Sequence, residues 1–409
     1  PPSGRAGSLR LMQEAERHLS EPGNLARVDQ GPLNYRWKTG SSSWKWARGL
    51  TGVRDDAGKR LCSLVNGTVM GGVLPTAQFG NTLTHSVLQL GRAEGVDPYV
   101  VHATYMRSQK ESFKVSRLRE ARLWRDAPAW YSSPAHSAAV GGSPVAASAG
   151  LGPSSPAAGY MTFDLVVPQA LLGVPRIARG ALPHHHLQLM QHQLAQLRSA
   201  FFLARTLGRA LVLPPTRCSC ELGFWPTHIE ENCIAGDHES LRLPYQCAID
   251  HYLDVSALDK SPFAHRERTF FENPRTPVAG LRESKATVVR CAAGDACAPV
   301  DGEVYAKPHM SQSEIRSALG ATTARVLHIT DVLGTFGRFD DEQTARTWHD
   351  EVQDLLSSWC CTSEPAFKRT GGLVPYILPP LEGQTAWRGR EQLAWVGQAI
   401  AESNRSRVG

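Results

Sequence analysis

The sequence predicts an α/β protein with more than one domain. At 409 residues the chain is long enough for two cores, and 42% hydrophobic with 20% charged residues is typical of globular proteins. Short β-branched runs alternate with stretches in which apolar residues recur at helical intervals. No apolar run is long enough to cross a bilayer. This alternation predicts strands connected by helices, as in a Rossmann-like fold.

The charge pattern favours a small anionic ligand. The net charge of +6 is modest, and acidic residues interrupt the densest basic segment, between Arg107 and Arg125. A nucleic-acid-binding surface usually concentrates its basic residues in one patch. We therefore expect no nucleic-acid partner.

The first region of interest is a strand that ends on a histidine. Tyr99, Val100 and Val101 are typical of a buried strand, and His102 follows at its carboxyl end. Ligands of open α/β sheets bind at the carboxyl ends of strands. The basic segment that comes next could bind a diphosphate and contains Lys110, Lys114, Arg117, Arg119 and Arg122. The pattern thus predicts a site for a metal and a diphosphate.

Three motifs in this region, LPTAQFGNTLTHS, PYVVHATY and KVSRLREARLW, carry a resemblance. They resemble the plant and algal nucleotide-diphospho-sugar transferase family, which includes the extensin and hydroxyproline arabinosyltransferases. The resemblance implies a GT-A fold, a Rossmann-like domain that binds a UDP-sugar through Mn²⁺ or Mg²⁺ in the Golgi lumen. It also implies that His102 is a metal ligand and that Lys114 binds the donor diphosphate, with Lys110 and Arg117 as alternatives.

An upstream element, Asp29-Gln30-x-x-x-Asn34, has two interpretations. In the GT-A transferases it resembles, such an element lies near donor and acceptor, so that Asp29 and Gln30 would be catalytic. Asp29 is equally suited to cap a helix that has Pro32 in its first turn. Both interpretations stay open.

The metal-binding D-x-D motif of GT-A transferases does not occur in the chain. We therefore expect the chain to begin inside the GT-A domain, with residues 1–131 as the C-terminal part of that domain. On this interpretation the chain is a fragment, and a membrane anchor, as in a type II membrane protein, would lie upstream.

Residues 132–159 are rich in Ala, Ser, Gly and Pro, which predicts a low-complexity insertion. A second α/β domain, glycosyltransferase-like, is expected over residues 160–409. Its clearest unit is a helix from His184, a closing Gly208, a strand and Pro214-Pro215. This unit resembles the opening of the protein O-fucosyltransferases. Further strands are predicted at 286–290 and at 325–330, which leads to Asp331, and a helix at 340–358.

His192 and Arg198 are candidate site residues of this second domain. The alternative is that Gln193 and Arg198 form the polar face of an amphipathic helix, and the residues alone favour that alternative. Asp250-His251 could form a catalytic pair, although nothing in the sequence fixes their orientation.

The nine cysteines predict disulfides. Cys218, Cys220, Cys233 and Cys247 lie close together, and Cys291 and Cys297 pair by spacing. Zinc is the weaker alternative, because the cluster lacks the usual C-x-x-C knuckle.

The resemblance implies a glycosyltransferase that moves a pentose, with arabinose favoured, from a UDP-sugar. The acceptor would be a hydroxyproline-rich glycoprotein or a cell-wall glycan. The alternative is a non-catalytic protein, derived from a transferase, that binds glycans or proline-rich chains.

Overall fold

The fold is described from a computed structural model. It describes residues 74–104, 110–134, 159–172, 184–218, 244–291 and 302–356, together with Gln13, Leu378 and five short strands in 53–72 and 358–375. The candidate residues Asp29 and Gln30 and most of the predicted insertion at 132–159 lie outside these ranges. No helix of the described part is long and apolar enough to span a bilayer.

The chain divides into two compact units, residues 1–79 and 80–409. In the first unit, the described strands β1 (Val53–Arg54), β2 (Arg60–Leu64) and β3 (Val69–Gly72) pair antiparallel in that order.

The second unit is organised around a six-stranded sheet with the order β10-β7-β6-β14-β11-β12. Each of the five strand pairs in this sheet is parallel. Parallel strands joined by helices confirm the predicted α/β class and are compatible with a Rossmann-like domain. The described strands are β4 (Phe79–Asn81), β5 (Val100–His102), β6 (Tyr160–Phe163), β7 (Ala210–Val212), β8 (Thr216–Cys218), β9 (Tyr245–Cys247), β10 (His265–Arg266), β11 (Lys285–Arg290), β12 (Glu303–Ala306), β13 (Met310–Ser311), β14 (Val326–Ile329), β15 (Phe336–Arg338), β16 (Ser358–Cys360) and β17 (Leu373–Pro375).

Helices connect these strands. The described α-helices are α1 (Leu90–Glu94), α2 (Glu111–Glu120), α3 (Pro128–Ser132), α4 (Gln169–Leu172), α5 (His184–Thr206), α6 (Val255–Leu258), α7 (Ala279–Arg282), α8 (Gln312–Leu319), α9 (Val332–Thr335) and α10 (Glu342–Leu355). A π-helical turn lies at Leu83–Val87.

The predicted helix before Gly208 is confirmed as α5, and its apolar positions form the centre of the main core. Leu194, Leu197 and Phe201 are each at most 2% exposed and pack with residues of the sheet. Gly208 has φ of 63°, a left-handed conformation that ends the helix and that glycine adopts without strain.

The two faces of the sheet differ. Met161 and Leu327, neighbours in the register of β6 and β14, belong to the main core with α5. On the opposite face, Tyr160 and Val326 pack against Trp130 of α3 in a second, smaller core. Further along that face, Thr162, His328 and Thr287 lie side by side in register on three adjacent strands, and each is partly exposed. Central strands of parallel sheets are normally apolar on both faces, so this polar row is unusual.

Helix α2 packs within the second unit through a buried face that contains both apolar and charged residues. Phe113 is 2% exposed in the main core, and the Glu120 carboxylate accepts a hydrogen bond from the Ile249 N–H at 2.9 Å. The second compact unit therefore begins at Gly80 and includes residues that the sequence interpretation assigned to the end of the first domain at residue 131.

One disulfide joins Cys218 of β8 to Cys247 of β9. It closes a two-stranded antiparallel sheet, and its sulfurs are buried. Cys291 is disulfide-bonded as well. The prediction of disulfides is confirmed at these cysteines.

Candidate functional site

The candidate site lies at the carboxyl edge of the six-stranded sheet, where the strand order changes direction. From β6 the chain moves outward through β7 to β10, whereas β14 and β11 lie on the other side of β6. In open α/β sheets this switch point is where ligands bind. Asp164 follows β6 at this point, Asp331 follows β14, and Arg290 ends β11.

Asp164 is held by a histidine from the neighbouring strand. His328 Nε2 lies 3.3 Å from Asp164 Oδ2, and His328 Nδ1 lies 2.9 Å from Thr162 Oγ1. Because a carboxylate only accepts hydrogen bonds, Nε2 carries the proton; in the neutral ring Nδ1 then accepts from the Thr162 hydroxyl. The Asp164 side chain is 60% exposed and that of His328 only 17%. The arrangement presents an oriented carboxylate to solvent.

The segment after Asp164 is fixed by helix α5. Gln196 Oε1 accepts from the Val166 N–H at 3.0 Å, and Gln196 Nε2 donates to the Val166 carbonyl at 2.7 Å. His192 Nε2 donates to the same carbonyl at 3.0 Å. The Val166 side chain is 58% exposed. The fold thus holds the backbone here while an apolar side chain faces solvent beside the carboxylate.

A second pair of charges lies one strand further along the same edge. Arg290 Nη1 lies 2.9 Å from Asp331 Oδ2, and both side chains are more than a third exposed. The other oxygen of Asp331 accepts from the Gly334 N–H at 2.8 Å and caps α9. A Cβ at Gly334 would lie 2.2 Å from Arg290 Nη1, so glycine leaves the space that the pair occupies.

The predicted diphosphate cations occupy different surroundings. Arg117 is 3% exposed, and its Nε donates to Asp250 Oδ1 at 2.6 Å. A guanidinium buried in this way ties α2 to the 3₁₀ turn at Ile249–His251 and does not face a solvent-accessible ligand. Lys110 is exposed at the N-cap of α2, and Lys114 is half-buried on the same helix. These two lysines keep the predicted diphosphate role as a hypothesis.

The predicted metal ligand, His102, is exposed at the end of β5, which pairs with β4. In the described part of the chain, one group of three ligand-type side chains comes together, and it is Cys218, Cys247 and His251. The two sulfurs form a disulfide and are therefore not thiolate ligands. The described surroundings of His102 do not fit a hard divalent cation, which takes several oxygen ligands.

Two polar residues of α5, Gln193 and Arg198, lie on its buried side. Gln193 is 1% exposed and Arg198 4% exposed, so the favoured interpretation of these two residues as a solvated polar face is wrong. Gln193 is buried where strand β8 packs against the helix. Its side-chain amide donates to the Arg217 carbonyl and accepts from the Arg217 N–H. Burial lowers the pKa of Arg198 to about 10, and its charge contributes to the lowered pKa of His349.

His192 does contact the candidate site, through the Val166 carbonyl. The Asp250–His251 pair does not act as one unit. The Asp250 carboxylate binds Arg117, whereas His251 Nδ1 lies 3.6 Å from Cys218 Sγ, and both residues are buried.

Sequence reasoning missed Asp164, His328 and Thr162 as a set. Asp164 stands directly after a strand and His328 within another, but 164 residues separate them. The available signal was a polar residue inside or just after an otherwise apolar short strand, in YMTFD and VLHIT. That signal predicts that these residues lie near the carboxyl edge of a sheet, but it does not predict which strands are neighbours.

Comparison with known proteins adds one match. The chain is 26% identical over 324 residues to arabinosyltransferase XEG113 from Arabidopsis thaliana. It is similar to a plant arabinosyltransferase. The match covers 76% of this chain and 45% of the relative, so the chain spans less than half the length of that protein. It confirms the resemblance that the motifs around His102 indicated. No protein-family profile and no solved structure matches the chain.

Proposed function

We propose that this chain is part of a glycosyltransferase that moves arabinose from a UDP-sugar to a hydroxyl group of a hydroxyproline-rich acceptor. The similarity to an arabinosyltransferase supports the reaction class. The observation that supports a catalytic role for the described unit is the exposed, histidine-oriented Asp164 carboxylate at the switch point of the sheet.

In the proposed step, Asp164 is the general base. Its carboxylate takes the proton of the acceptor hydroxyl while the acceptor oxygen forms a bond to the anomeric carbon of the sugar. The bond from that carbon to the diphosphate oxygen breaks, and the diphosphate leaves with the bonding electrons. His328 and Thr162 do not touch the acceptor in this scheme; they fix the carboxylate. A general base of this kind contributes typically 10²- to 10⁴-fold to the rate.

The donor part of the site is proposed on the resemblance. Mn²⁺ or Mg²⁺ would neutralise charge on the leaving diphosphate, with Lys110 or Lys114 as a further cation. The proposed location of the enzyme is the Golgi lumen. The disulfide of Cys218 and Cys247 is consistent with an oxidising compartment.

Turnover of the full-length protein tests the proposal. UDP release from UDP-arabinose, with a hydroxyproline peptide as acceptor, is measured for the wild type, Asp164→Asn and Asp97→Asn. Asp97 is a matched control because it is an exposed aspartate in a loop. We expect Asp164→Asn to lower kcat by about 100-fold or more and Asp97→Asn to leave kcat unchanged.

Two outcomes would contradict the proposal in different ways. Full turnover by Asp164→Asn would remove this residue from the chemistry and leave the reaction class intact. A wild-type protein that binds the peptide, yet turns over no UDP-sugar with either metal, would favour the non-catalytic glycan- or proline-rich-chain-binding protein.

A further inference from the structure

Helix α5 carries two glutamines that each hold one backbone residue by both its N–H and its C=O. Gln196 holds Val166, as described above. Gln193 holds Arg217 of β8, with both hydrogen bonds at 2.8 Å. Both glutamines are at most 3% exposed. The same side-chain chemistry therefore acts at two places, of which one adjoins Asp164 and the other adjoins the disulfide.

The backbone after β6 needs such a partner because it has left the sheet. A buried amide that satisfies both polar groups of one residue replaces the two hydrogen bonds of a strand neighbour. Packing of Val166 cannot do this, since its side chain faces solvent. Only two peptide bonds along the chain separate Val166 from Asp164, so the two hydrogen bonds from Gln196 to Val166 fix the path of the segment that carries the carboxylate.

We propose that Gln196 is a positioning residue for Asp164, with His192 as its helper at the Val166 carbonyl. This inference rests on the proposed function, because it assigns Gln196 to the same site. Gln196 touches no substrate in this assignment. It keeps the segment from Asp164 to Val166 at one place relative to His328, so that the carboxylate meets the acceptor hydroxyl in the reactive geometry. Displacement of a catalytic group by about 1 Å can cost on the order of 100-fold in rate.

Loss of stability alone cannot distinguish a positioning role of Gln196 from a merely structural one. Gln193 therefore serves as the matched control. Gln193→Ala removes the corresponding two hydrogen bonds, here to Arg217, from an equally buried glutamine of the same helix. It also removes the contacts of the same amide nitrogen with the Leu189 carbonyl at 3.2 Å and with Met190 Sδ at 3.8 Å. Both alanine variants should lower the midpoint of thermal unfolding by similar amounts. Only Gln196→Ala should lower kcat, by about 10- to 100-fold, while the KM for the UDP-sugar stays within about twofold.

A second variant covers the case in which Gln196→Ala does not fold. Gln196→Glu has the same shape and still accepts from the Val166 N–H, but it has no donor for the Val166 carbonyl. Its kcat should also fall. Amide hydrogen exchange at Val166, followed by mass spectrometry of the segment, should be faster in Gln196→Ala, which loses the acceptor for the Val166 N–H, and unchanged in Gln193→Ala.

The decisive measurement combines Gln196→Ala with Asp164→Asn in the full-length protein. If Gln196 acts through Asp164, the double variant has the kcat of Asp164→Asn alone, because effects that pass through one group are not additive. If the fold-losses in kcat of the two single variants multiply in the double variant, Gln196 acts independently of Asp164 and the inference is overturned. Wild-type-like kcat in a folded Gln196 variant would overturn it too, while the loss in Asp164→Asn would keep the proposed function. Equal turnover in Asp164→Asn and the wild type would overturn both.

Discussion

Two groups of charged residues in the second unit cannot be told apart from the sequence, but in the fold they differ in how far their side chains are exposed. The α2 cluster consists of Arg117, Arg119, Asp126, Asp250 and Glu267. The edge cluster consists of Asp164, Arg290, His328 and Asp331. In the α2 cluster the side chains of the Arg117–Asp250 pair are 3% and 1% exposed, whereas those of the Arg290–Asp331 pair are 45% and 37% exposed. Charges of the first kind serve packing, and those of the second kind are available to a ligand.

The buried cluster has extensive contacts of its own. Arg119 donates to Asp126 through two nitrogens, lies 3.4 Å from Glu267, and stacks on Trp130 with 3.8 Å between its guanidinium carbon and the ring centroid. Arg266 lies over the same ring at 4.0 Å. Because the charges in this group are paired or stacked, the cluster joins α2 and α3 to β10. Burial nevertheless opposes the charged form of Glu267.

The largest stability effect is expected where the buried pair is broken. Arg117→Ala leaves the Asp250 carboxylate buried without its counterion, which costs roughly 3 to 5 kcal/mol of the free energy of unfolding. Urea denaturation at neutral pH measures the loss. Lys114→Ala, three residues away on the same helix, is the control and should change stability by less than about 0.5 kcal/mol. A small loss in Arg117→Ala would mean that Asp250 is not confined to this pair.

This contrast also explains what the sequence predicts well. Helix α5, β7 and β14 follow from apolar periodicity and from Gly208, which are local features. The role of Arg117 does not follow from local features, because its partner Asp250 lies 133 residues further along the chain. The same holds for His328 and Thr162, which are 166 residues apart and meet only because β14 pairs with β6. Local sequence patterns predict the helices, the strands and where each strand ends. The order of the strands in the sheet decides which of these strand ends lie together in one site.

The α2 cluster should also make stability depend on pH. Burial raises the pKa of Glu267 to about 7, despite the opposing charge of Arg119. The folded protein then binds a proton that the unfolded chain, with an ordinary glutamate pKa of 4.5, has already lost. Between these two values the free energy of unfolding therefore falls as pH rises. Burial raises the pKa of Asp259 to about 6 and gives the same direction over a lower range.

Glu267→Gln isolates this effect. The variant should gain stability relative to the wild type as pH rises from about 5 to 8, by on the order of 2 kcal/mol. Urea denaturation of both proteins at pH 5, 6, 7 and 8 gives the comparison. His349 supplies the opposite dependence in both proteins, since burial lowers its pKa to about 4 and stability is lost as pH falls below 6.5. A difference between the two proteins that does not change with pH would contradict the buried, protonated Glu267.

The smallest effect on stability is expected at the edge cluster. Arg290→Met removes one partner of the exposed pair with Asp331, and exposed ion pairs contribute only about 0 to 1 kcal/mol. Asp331 keeps its hydrogen bond to the Gly334 N–H, so α9 stays capped. We therefore expect the urea midpoint of Arg290→Met to stay close to that of the wild type, in contrast to Arg117→Ala.

What Arg290→Met should change is the response to anions. A half-exposed guanidinium two strands away from β6 is within reach of a negatively charged part of a ligand at the switch point. In the wild type, inorganic diphosphate should inhibit turnover more strongly than in Arg290→Met, measured as the inhibition constant at fixed ionic strength. Equal inhibition of both proteins would confine Arg290 to its pair with Asp331, and the difference between the buried and exposed clusters would then lie in Asp164 and His328 alone.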